Sequence, residues 1–302
     1  GLIDRLRGGN EEVDMGNVAF IGTGLIGGAL AEAAAKRGDA VRAYNRTIEK
    51  ARALEPFGIH ALATAAEAVR GAERVHVALS DDAAVDAAIA SFTDSLEAGA
   101  VIVDHTTASP HGTIARARAM AERGIAYLHA PVFMSPAMCR EARGLMLVSG
   151  PRAAFDRVSA ALSAMTGAVD YLGERPDLAA AKKLFGNAMI ITMVGGLADV
   201  FALAKSLGIA PADATETFAK FNPANALAYR VGPMAAGDYR PSFELSMARK
   251  DVRLMIETAD MENEKLAVLP AIALRMDELI ERGFGKDDLG ILAVDAVPKK
   301  EA

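Results

Sequence analysis

The chain has 302 residues, with 33 basic and 39 acidic side chains, a formal charge of −6 and 52% hydrophobic residues. The length predicts about two domains, and the hydrophobic fraction suffices for a sizeable core, which argues against a disordered chain. The negative charge and the lack of a basic block argue against a nucleic-acid-binding protein. A single cysteine, Cys139, excludes an internal disulfide and favours a reducing compartment, which we expect to be the cytoplasm.

The first residues predict neither a signal peptide nor a folded element. Residues 1–14 are polar and contain a Gly-Gly pair, so we expect a poorly ordered tail. Elsewhere, the five histidines and Cys139 lack the spacing of metal ligands, and no metal site is predicted.

A glycine motif follows the first predicted strand. The segment NVAFIGTGLIGGALAEAAAKRG predicts a buried strand, a turn and a helix that ends at Gly38. Its G-x-G-x-x-G pattern lets the chain turn tightly, lets the backbone approach a pyrophosphate, and lets the helix pack closely on the strand. The helix N-terminus then favours the negative charge of the phosphates. The predicted dinucleotide-binding residues are Gly22, Thr23, Gly24, Leu25, Ile26 and Gly27.

The end of the second predicted strand, AVRAY, indicates which dinucleotide binds. An NAD site usually has Asp or Glu there, about 20 residues after the glycines, to hold the ribose hydroxyls. This chain has Asn45, Arg46 and Thr47 instead. The Arg46 guanidinium can bind a 2′-phosphate and Thr47 can donate its hydroxyl, so the pattern favours NADP over NAD.

Helices and strands continue to alternate as far as residue 177. We predict helices at 49–54, 65–70 and near 113–123, a capping turn at 80–82, and strands at 74–79, 100–104, 125–128 and 145–148. This order is typical of a doubly wound sheet, so residues 15–177 are predicted to form a Rossmann domain. Ligands of such sheets bind beyond the carboxyl ends of the strands, which places Leu79, Ser80 and Thr106 at the cofactor site.

The pattern becomes entirely helical after this domain. Helices are predicted at 178–207, 211–220, 223–230, 243–261, 264–282 and 287–293. The fold class is therefore α/β, with a Rossmann domain joined by a long interdomain helix to an all-helical domain, residues 178–302. The first helix is apolar almost all round, which predicts a buried helix, and Lys182, Lys183 and Asp199 argue against a membrane span. Lys183 and Asn187 share one helix face.

Four motifs together resemble the β-hydroxyacid dehydrogenase family over residues 17 to about 292. They are GTGLIGGALA followed by YNRT at the next strand end, Asp104-His105-Thr106-Thr107, Lys183-Leu184-Phe185-Gly186-Asn187, and Arg249-Lys250-Asp251. The resemblance implies that Lys183 is the catalytic acid and base and that Asn187 holds the lysine or a substrate oxygen. It further implies that Thr106 and Thr107 offer hydroxyls to the substrate, and that Lys250 lies near the nicotinamide of the cofactor. The simpler interpretations are a strand-end cap for the threonines and a surface ion pair for Lys250.

The loop after residues 130–132 differs from the family pattern. The family usually has small residues there, whose backbone N–H groups hold the substrate carboxylate, whereas this chain has Phe133, Met134, Ser135 and Pro136. The first two side chains add bulk and Pro136 lacks an N–H group. We expect Phe133, Met134 and Ser135 to line the substrate site, and a neutral or more apolar carbonyl substrate becomes plausible. Phe133 and Met134 can also be ordinary packing residues.

The sequence therefore predicts an NADP-dependent oxidoreductase that interconverts a β-hydroxyacid, or a related alcohol, and its carbonyl compound. One alternative is an imine reductase, although that family usually has Asp or Tyr at the position of Lys183. The other is a catalytically silent NADP-binding module. The expected partners are a small-molecule substrate and a second copy of the chain, in a homodimer or homotetramer, with neither nucleic acid nor membrane.

Overall fold

A computed structural model of the chain describes residues 16–297, so the predicted tail lies outside the described residues. The chain divides into two compact units, and the boundary lies between Asn187 and Ala188, within a helix. The predicted domain limits, 15–177 and 178–302, place the same helix entirely in the second domain.

The first unit contains nine strands and seven complete helices among the described residues. The strands are β1 Asn17–Ile21, β2 Ala40–Tyr44, β3 His60–Ala61, β4 Arg74–Val77, β5 Val101–Asp104, β6 Ala126–His129, β7 Val132–Phe133, β8 Leu145–Val148 and β9 Ala168–Tyr171. The helices are α1 Leu25–Arg37, α2 Ile48–Arg52, α3 Ala65–Val69, α4 Asp82–Phe92, α5 Pro110–Glu122, α6 Pro136–Arg140 and α7 Arg152–Ser163. Short 3-10 turns lie at Glu55–Phe57 and Thr93–Ser95. The sequence analysis did not predict β3, β7, β9, α6 or α7, and it predicted only the capping turn of α4.

Six parallel strands form the main sheet in the order β3-β2-β1-β4-β5-β6, which confirms the predicted doubly wound fold. Ile21 lies opposite Tyr44 and Val77, and Asp104 lies opposite Val77 and His129. The carboxyl ends of five strands therefore meet at one edge of the sheet. Residues alternate between its two faces, so Phe20 packs in one apolar cluster and Ile21 in the other.

Strand β8 was expected in the doubly wound sheet, and this expectation was wrong. It belongs to a second sheet of three strands, in the order β7-β8-β9, in which β7 runs antiparallel and β9 parallel to β8. The segment that follows β6 forms β7, a strand that was not predicted, and β8 pairs antiparallel with it instead of joining the main sheet. An isolated bridge between His129 and Ser149 joins the two sheets.

The second unit is helical, as predicted. After the last part of α8 (Leu178–Ser206) come α9 Pro211–Thr215, α10 Asn225–Ala235, α11 Leu245–Asp260 and α12 Leu269–Leu279, with 3-10 turns at Glu216–Ala219 and Leu289–Ala293 and a π-helical turn at Ile280–Phe284. Its core forms around Leu245, Val252, Met276, Leu279 and Ile291.

The predicted helix 264–282 was placed too early, because α12 begins at Leu269. The buried carboxylate of Asp199 accepts hydrogen bonds from the amides of Ala267, Val268 and Leu269. A negative charge at this helix N-terminus satisfies amides that have no partner within the helix. Because the acceptor is 70 residues away in sequence, local sequence gives no signal for this helix start.

The long helix α8 was expected to be buried, and in the single chain it is not. Phe185, Ile191 and Val194 are 68%, 70% and 62% exposed. Among the described residues, α8 is the one helix whose length and composition would allow it to cross a membrane. Two charged side chains of α8, Lys183 and Asp199, form hydrogen bonds with backbone groups of the protein. The helix therefore packs against protein at both of these positions.

Candidate active site

The turn after β1 has room only for glycine at two positions. Gly22 has φ +95°, and its amide donates to the carbonyl of Tyr44 at 2.8 Å. A Cβ atom at Gly22 would lie 2.2 Å from the Ala78 carbonyl oxygen, and one at Gly27 would lie 2.1 Å from the Gly22 carbonyl oxygen. The predicted tight turn and the close contact between helix and strand are both present.

Beyond this turn, the N-terminus of α1 is open. Gly24 caps the helix without a side-chain hydrogen bond, and nothing lies within 4 Å of a Cβ built there. Leu25 is 81% exposed, so the first turn, which includes Ile26, is accessible. The hydroxyl of Thr23 is buried and has no partner among residues 16–297. An unpaired hydroxyl, free amides and open space suit the pyrophosphate of a dinucleotide.

The residues after β2 have two different roles. The Asn45 side chain accepts from the amide of Thr23 at 3.1 Å and donates to the Thr47 carbonyl at 2.9 Å. It therefore joins the glycine loop to this turn and fixes both. Arg46 and Thr47 are exposed, so their side chains remain accessible to a 2′-phosphate.

The loops after β4 and β5 are joined by a hydrogen bond. The Leu79 amide donates to the Thr106 hydroxyl oxygen at 3.1 Å, and Thr106 is 2% exposed. The predicted role of Thr106 as a strand-end cap is thus present, whereas its substrate contact stays a prediction. Thr107 and Ser80 are exposed, and the Ser80 hydroxyl donates to Asp81 at 2.7 Å.

Two buried histidines connect this edge of the sheet to the loop after β6. His105 Nδ1 lies 2.7 Å from the Ala130 carbonyl oxygen, so it must carry the proton and donate it. His105 Nε2 then accepts from Nδ1 of His76, 2.9 Å away. Burial lowers the pKa of both imidazoles. His105 lowers the pKa of His76 further, whereas the Ala130 carbonyl and Asp104 raise the pKa of His105 without overcoming its burial. Both ring nitrogens of His105 have protein partners, and neither is left for a substrate.

A buried charged cluster, which the sequence analysis missed, lies beneath the same loops. The Asp104 carboxylate accepts from the Thr106 amide at 2.9 Å, from the Tyr127 hydroxyl at 2.7 Å and from Arg116 at 3.4 Å. Burial would raise the pKa of Asp104, but His129, Tyr127 and the Thr106 amide together lower it. Arg116 also binds Asp82 and Asp86, which distributes its charge over three carboxylates.

The predicted catalytic lysine is held by a backbone carbonyl. Lys183 Nζ donates to the carbonyl oxygen of Val132 at 2.8 Å and lies 4.0 Å from the ring centroid of Phe133. Burial lowers the pKa of the Lys183 ammonium. Its neighbour Lys182 is exposed, which separates the functional candidate from an ordinary surface lysine. Asn187 lies one turn further along α8, and the structure records no hydrogen bond between its side chain and another described residue.

The loop after β6 contains packing residues as well as candidates. Met134 packs against the core of the first unit and lies beside Gly144, which favours the packing interpretation over substrate binding. The Ser135 hydroxyl caps α6 by accepting from the Met138 amide at 3.2 Å. Phe133 is half-buried beside Lys183.

Lys250 lies on α11 in the second unit. Its Nζ atom is 2.9 Å from the Asp251 carboxylate, and both side chains are partly exposed. The surface ion pair is therefore present, and the contact with the nicotinamide stays a prediction.

Comparisons with known proteins agree with this architecture. The family model described as the NAD binding domain of 6-phosphogluconate dehydrogenase matches residues 17–173. An uncharacterized oxidoreductase of Shewanella frigidimarina is 29% identical over 84% of this chain and 89% of its own length. Glyoxylate/succinic semialdehyde reductase 2 of Arabidopsis thaliana is 25% identical over 94% of this chain and 80% of its own length.

A solved structure supports the fold alone. Imine reductase from Myxococcus stipitatus, in complex with NADP+, superposes with a TM-score of 0.86 at 23% identity and covers 92% of this chain and 99% of its own. Three observations indicate the same family and cofactor class. They are the matched domain, the glycine loop with its open helix N-terminus, and the relatives that are named oxidoreductases. The chain belongs to the family that carries the NAD-binding domain of 6-phosphogluconate dehydrogenase and is an NAD(P)-dependent oxidoreductase of the hydroxyacid dehydrogenase type.

Proposed function

We propose that the protein interconverts an alcohol and its carbonyl compound with NADP as cofactor, and that Lys183 is the general acid and base. The observation that carries this proposal is the contact of Lys183 Nζ with the Val132 carbonyl, because a backbone acceptor fixes the ammonium at the edge of the substrate loop. The resemblance and the name of the Arabidopsis relative make a β-hydroxyacid and its semialdehyde the reference substrates, against which neutral carbonyl compounds are compared.

Different residues at the edge of the sheet bind different parts of the cofactor. The amides of the first turn of α1 and the Thr23 hydroxyl hold the pyrophosphate, and Arg46 with Thr47 holds the 2′-phosphate. When bound, a reduced nicotinamide supplies the hydride for the carbonyl carbon. Lys183 donates a proton to the oxygen on which negative charge develops, and it recovers that proton from solvent. In the oxidative direction Lys183 accepts the proton from the alcohol.

The environment of Lys183 suits this role. Free lysine has a pKa of about 10.4, at which proton transfer near neutral pH is inefficient. Partial burial lowers the pKa of Lys183 towards the working range. One N–H is taken by the Val132 carbonyl, and the ammonium, which has three donors, keeps a further N–H for a substrate oxygen.

One alternative is supported by a specific observation. The aromatic ring of Phe133 beside the proton donor would also suit the cationic group of an iminium substrate. Reduction of a cyclic imine with no reduction of aldehydes would favour this second function. A silent cofactor-binding module is less well supported, since Lys183 is present and has a defined backbone partner.

The test compares Lys183→Ala with Lys182→Ala, a matched control at the exposed neighbouring lysine. NADPH oxidation is followed with semialdehydes, glyoxylate, neutral aldehydes and cyclic imines. We expect kcat to fall by about 10²–10⁴ in Lys183→Ala, the usual contribution of a general acid, and to stay within about twofold in Lys182→Ala. An equal rate in both variants would disprove the role of Lys183, and NADPH binding without any turnover would favour the silent module.

We also propose a homodimer in which the exposed apolar side chains of α8 contact a second copy rather than lipid. Ile191, 70% exposed, is representative of this surface. Ile191→Asp should convert a dimer into a monomer in light scattering without detergent, whereas Ile114→Asp on α5 should not. A monomeric wild-type protein would contradict the proposal. A cytoplasmic location, which fits the free and buried Cys139, is part of the same proposal.

A further inference from the structure

The ring of Phe133 packs against α8 at two positions of the helix, Lys183 and Gly186. Lys183 Nζ lies 4.0 Å from its centroid. One turn along the helix, a Cβ atom at Gly186 would lie 2.4 Å from the ring carbon Cζ. The ring therefore occupies the space that a side chain at position 186 would fill, and only glycine allows it to lie there.

This arrangement determines what the Lys183 ammonium can contact. One N–H binds the Val132 carbonyl, and the face of the Phe133 ring covers a second side of the group. An aromatic face carries partial negative charge, which attracts a cation and repels a carboxylate. The Val132 carbonyl and the Phe133 ring thus already partly balance the positive charge of the ammonium without any substrate anion.

The same loop offers few donors to a carboxylate. The Met138 amide already donates to the Ser135 hydroxyl oxygen at 3.2 Å, and Pro136 has no N–H group. Met134 is packed against the core. The small residues whose amides would hold a carboxylate in related enzymes are replaced here by an apolar wall next to the proton donor.

We propose that Phe133 determines substrate specificity by excluding a carboxylate from the side of Lys183 and selecting neutral carbonyl compounds with an apolar group, and that it also positions the Lys183 ammonium. This inference rests on the proposed role of Lys183 and names the substrate class of that site. Gly186 is also required for this arrangement, because its lack of a side chain makes room for the Phe133 ring.

The first experiment uses a matched pair of substrates, succinic semialdehyde and its methyl ester, which differ in one negative charge. For the wild-type protein we expect kcat/KM for the ester to exceed that for the acid by about tenfold or more, equivalent to about 1.4 kcal/mol. Phe133→Ser should shift this ratio by about tenfold towards the acid. Phe57→Leu, at an exposed ring with Lys36 at 5.2 Å from its centroid, is the control and should leave the ratio unchanged.

A double-mutant cycle then tests the contact with Gly186. Gly186→Ala should displace the ring and shift the ratio as Phe133→Ser does, but in the Phe133→Ser background it should change the ratio by less than about twofold. Equal effects of Gly186→Ala in both backgrounds would overturn the proposed fit. A wild-type preference for the acid, or a ratio that Phe133→Ser leaves unchanged, would overturn the specificity role.

The positioning role has a readout that does not need turnover. Phe133→Leu retains apolar bulk but loses the ring face that stabilises the cation, so the pKa of Lys183 should fall by about half a unit. NMR titration of ¹³C-methylated lysines, with Lys183→Ala to assign the signal, measures this shift directly. In reduction, which needs protonated Lys183, kcat/KM should then decline at a correspondingly lower pH.

These outcomes separate the inference from the proposed function. An unchanged pKa in Phe133→Leu would overturn the positioning role even if Lys183→Ala is inactive. Full activity of Lys183→Ala would reject the proposed mechanism, whatever the substrate ratio. If Phe133→Ser unfolds below the assay temperature, Phe133→Leu and Gly186→Ala carry the test.

Discussion

Two loops at the same edge of the main sheet are shaped by different means. The cofactor loop, residues 22–27, follows β1 and is shaped by its backbone, because Cβ atoms at Gly22 and Gly27 would overlap carbonyl oxygens. The substrate loop, residues 130–135, follows β6 and is shaped by side chains, above all by the Phe133 ring against Gly186 and Lys183. The first loop leaves no room for a side chain at Gly22 or Gly27, whereas the shape of the second depends on the identity of one side chain and can therefore change through one substitution.

The largest expected effect is on the backbone of the cofactor loop. Gly22→Ala places a Cβ atom 2.2 Å from the Ala78 carbonyl oxygen at a residue with φ +95°. The positive φ costs about 1–2 kcal/mol and the overlap about 1–3 kcal/mol, so we expect about 4 kcal/mol of destabilisation. Urea unfolding of the wild type and the variant measures this difference. If the free energy of unfolding changes by less than about 1 kcal/mol, the loop accommodates the added methyl group. That result would contradict the claim that the backbone alone shapes the cofactor loop.

The next effect concerns Asp104, whose backbone carbonyl accepts from the Ala130 amide at the start of the substrate loop. Asp104→Asn removes the charge that faces Arg116 in a buried cluster, and we expect a loss of about 3 kcal/mol in the free energy of unfolding at pH 7. The folded-state pKa of Asp104 is lowered, so its contribution is present above an unfolded pKa of about 3.9 and is lost as the pH falls through the folded pKa. The variant should therefore lose less stability than the wild type on acidification.

The exposed pair of Asp94 and Arg123 supplies a matched control for that measurement. Asp94 has a side chain that is 91% exposed, and solvent screens its interaction with Arg123. Asp94→Asn should therefore leave the urea midpoint close to that of the wild type. Equal losses in Asp94→Asn and Asp104→Asn would mean that burial does not strengthen the Asp104 interactions.

The sequence predicted the glycine turn and its flanking strand and helix well, because the signals for these elements are local. Gly22, Gly24 and Gly27 at their spacing, a buried strand before them and a helix after them are all readable within 22 residues, 17–38. The parallel, doubly wound character of the main sheet follows from the same alternation of strands and helices. The confirmed elements are those in which propensity, pattern and turn residues agree locally.

The parts that sequence could not predict depend on distant partners. Asp199 starts α12 from 70 residues away, and Val132 holds Lys183 from 51 residues away through a carbonyl that every residue has. The buried cluster of Asp104, Arg116 and Tyr127 assembles from three elements whose spacing carries no motif. The expectation that α8 is buried was wrong in the single chain. The apolar composition of a helix predicts that its surface is covered, but it does not identify the molecule that covers it.

A smaller effect tests the open side of the cofactor loop. Nothing lies within 4 Å of a Cβ atom at Gly24, so Gly24→Ala should fold with an unchanged melting temperature. The added methyl would however meet the bound pyrophosphate, and the Kd for NADPH in a fluorescence titration should rise by about 10- to 100-fold, equivalent to roughly 2 kcal/mol. Unchanged affinity would place the pyrophosphate elsewhere, whereas a lower melting temperature would show that Gly24 has a structural role like that of Gly22.

The smallest expected effect separates the two cofactors. Arg46 is exposed after β2, and loss of its charge-assisted hydrogen bonds to a 2′-phosphate costs roughly 1.5 kcal/mol. Arg46→Ala should thus raise the Kd for NADPH about tenfold while the Kd for NADH, which lacks that phosphate, stays within twofold. Arg52→Ala, at an exposed arginine at the end of α2, is the control and should alter neither value. If Arg46→Ala weakens both cofactors equally, its guanidinium does not read the 2′-phosphate and the preference for NADP has another source. If NADPH affinity is untouched, Arg46 does not contribute to cofactor binding, and the glycine loop becomes the main source of affinity, which sharpens the contrast with the substrate loop.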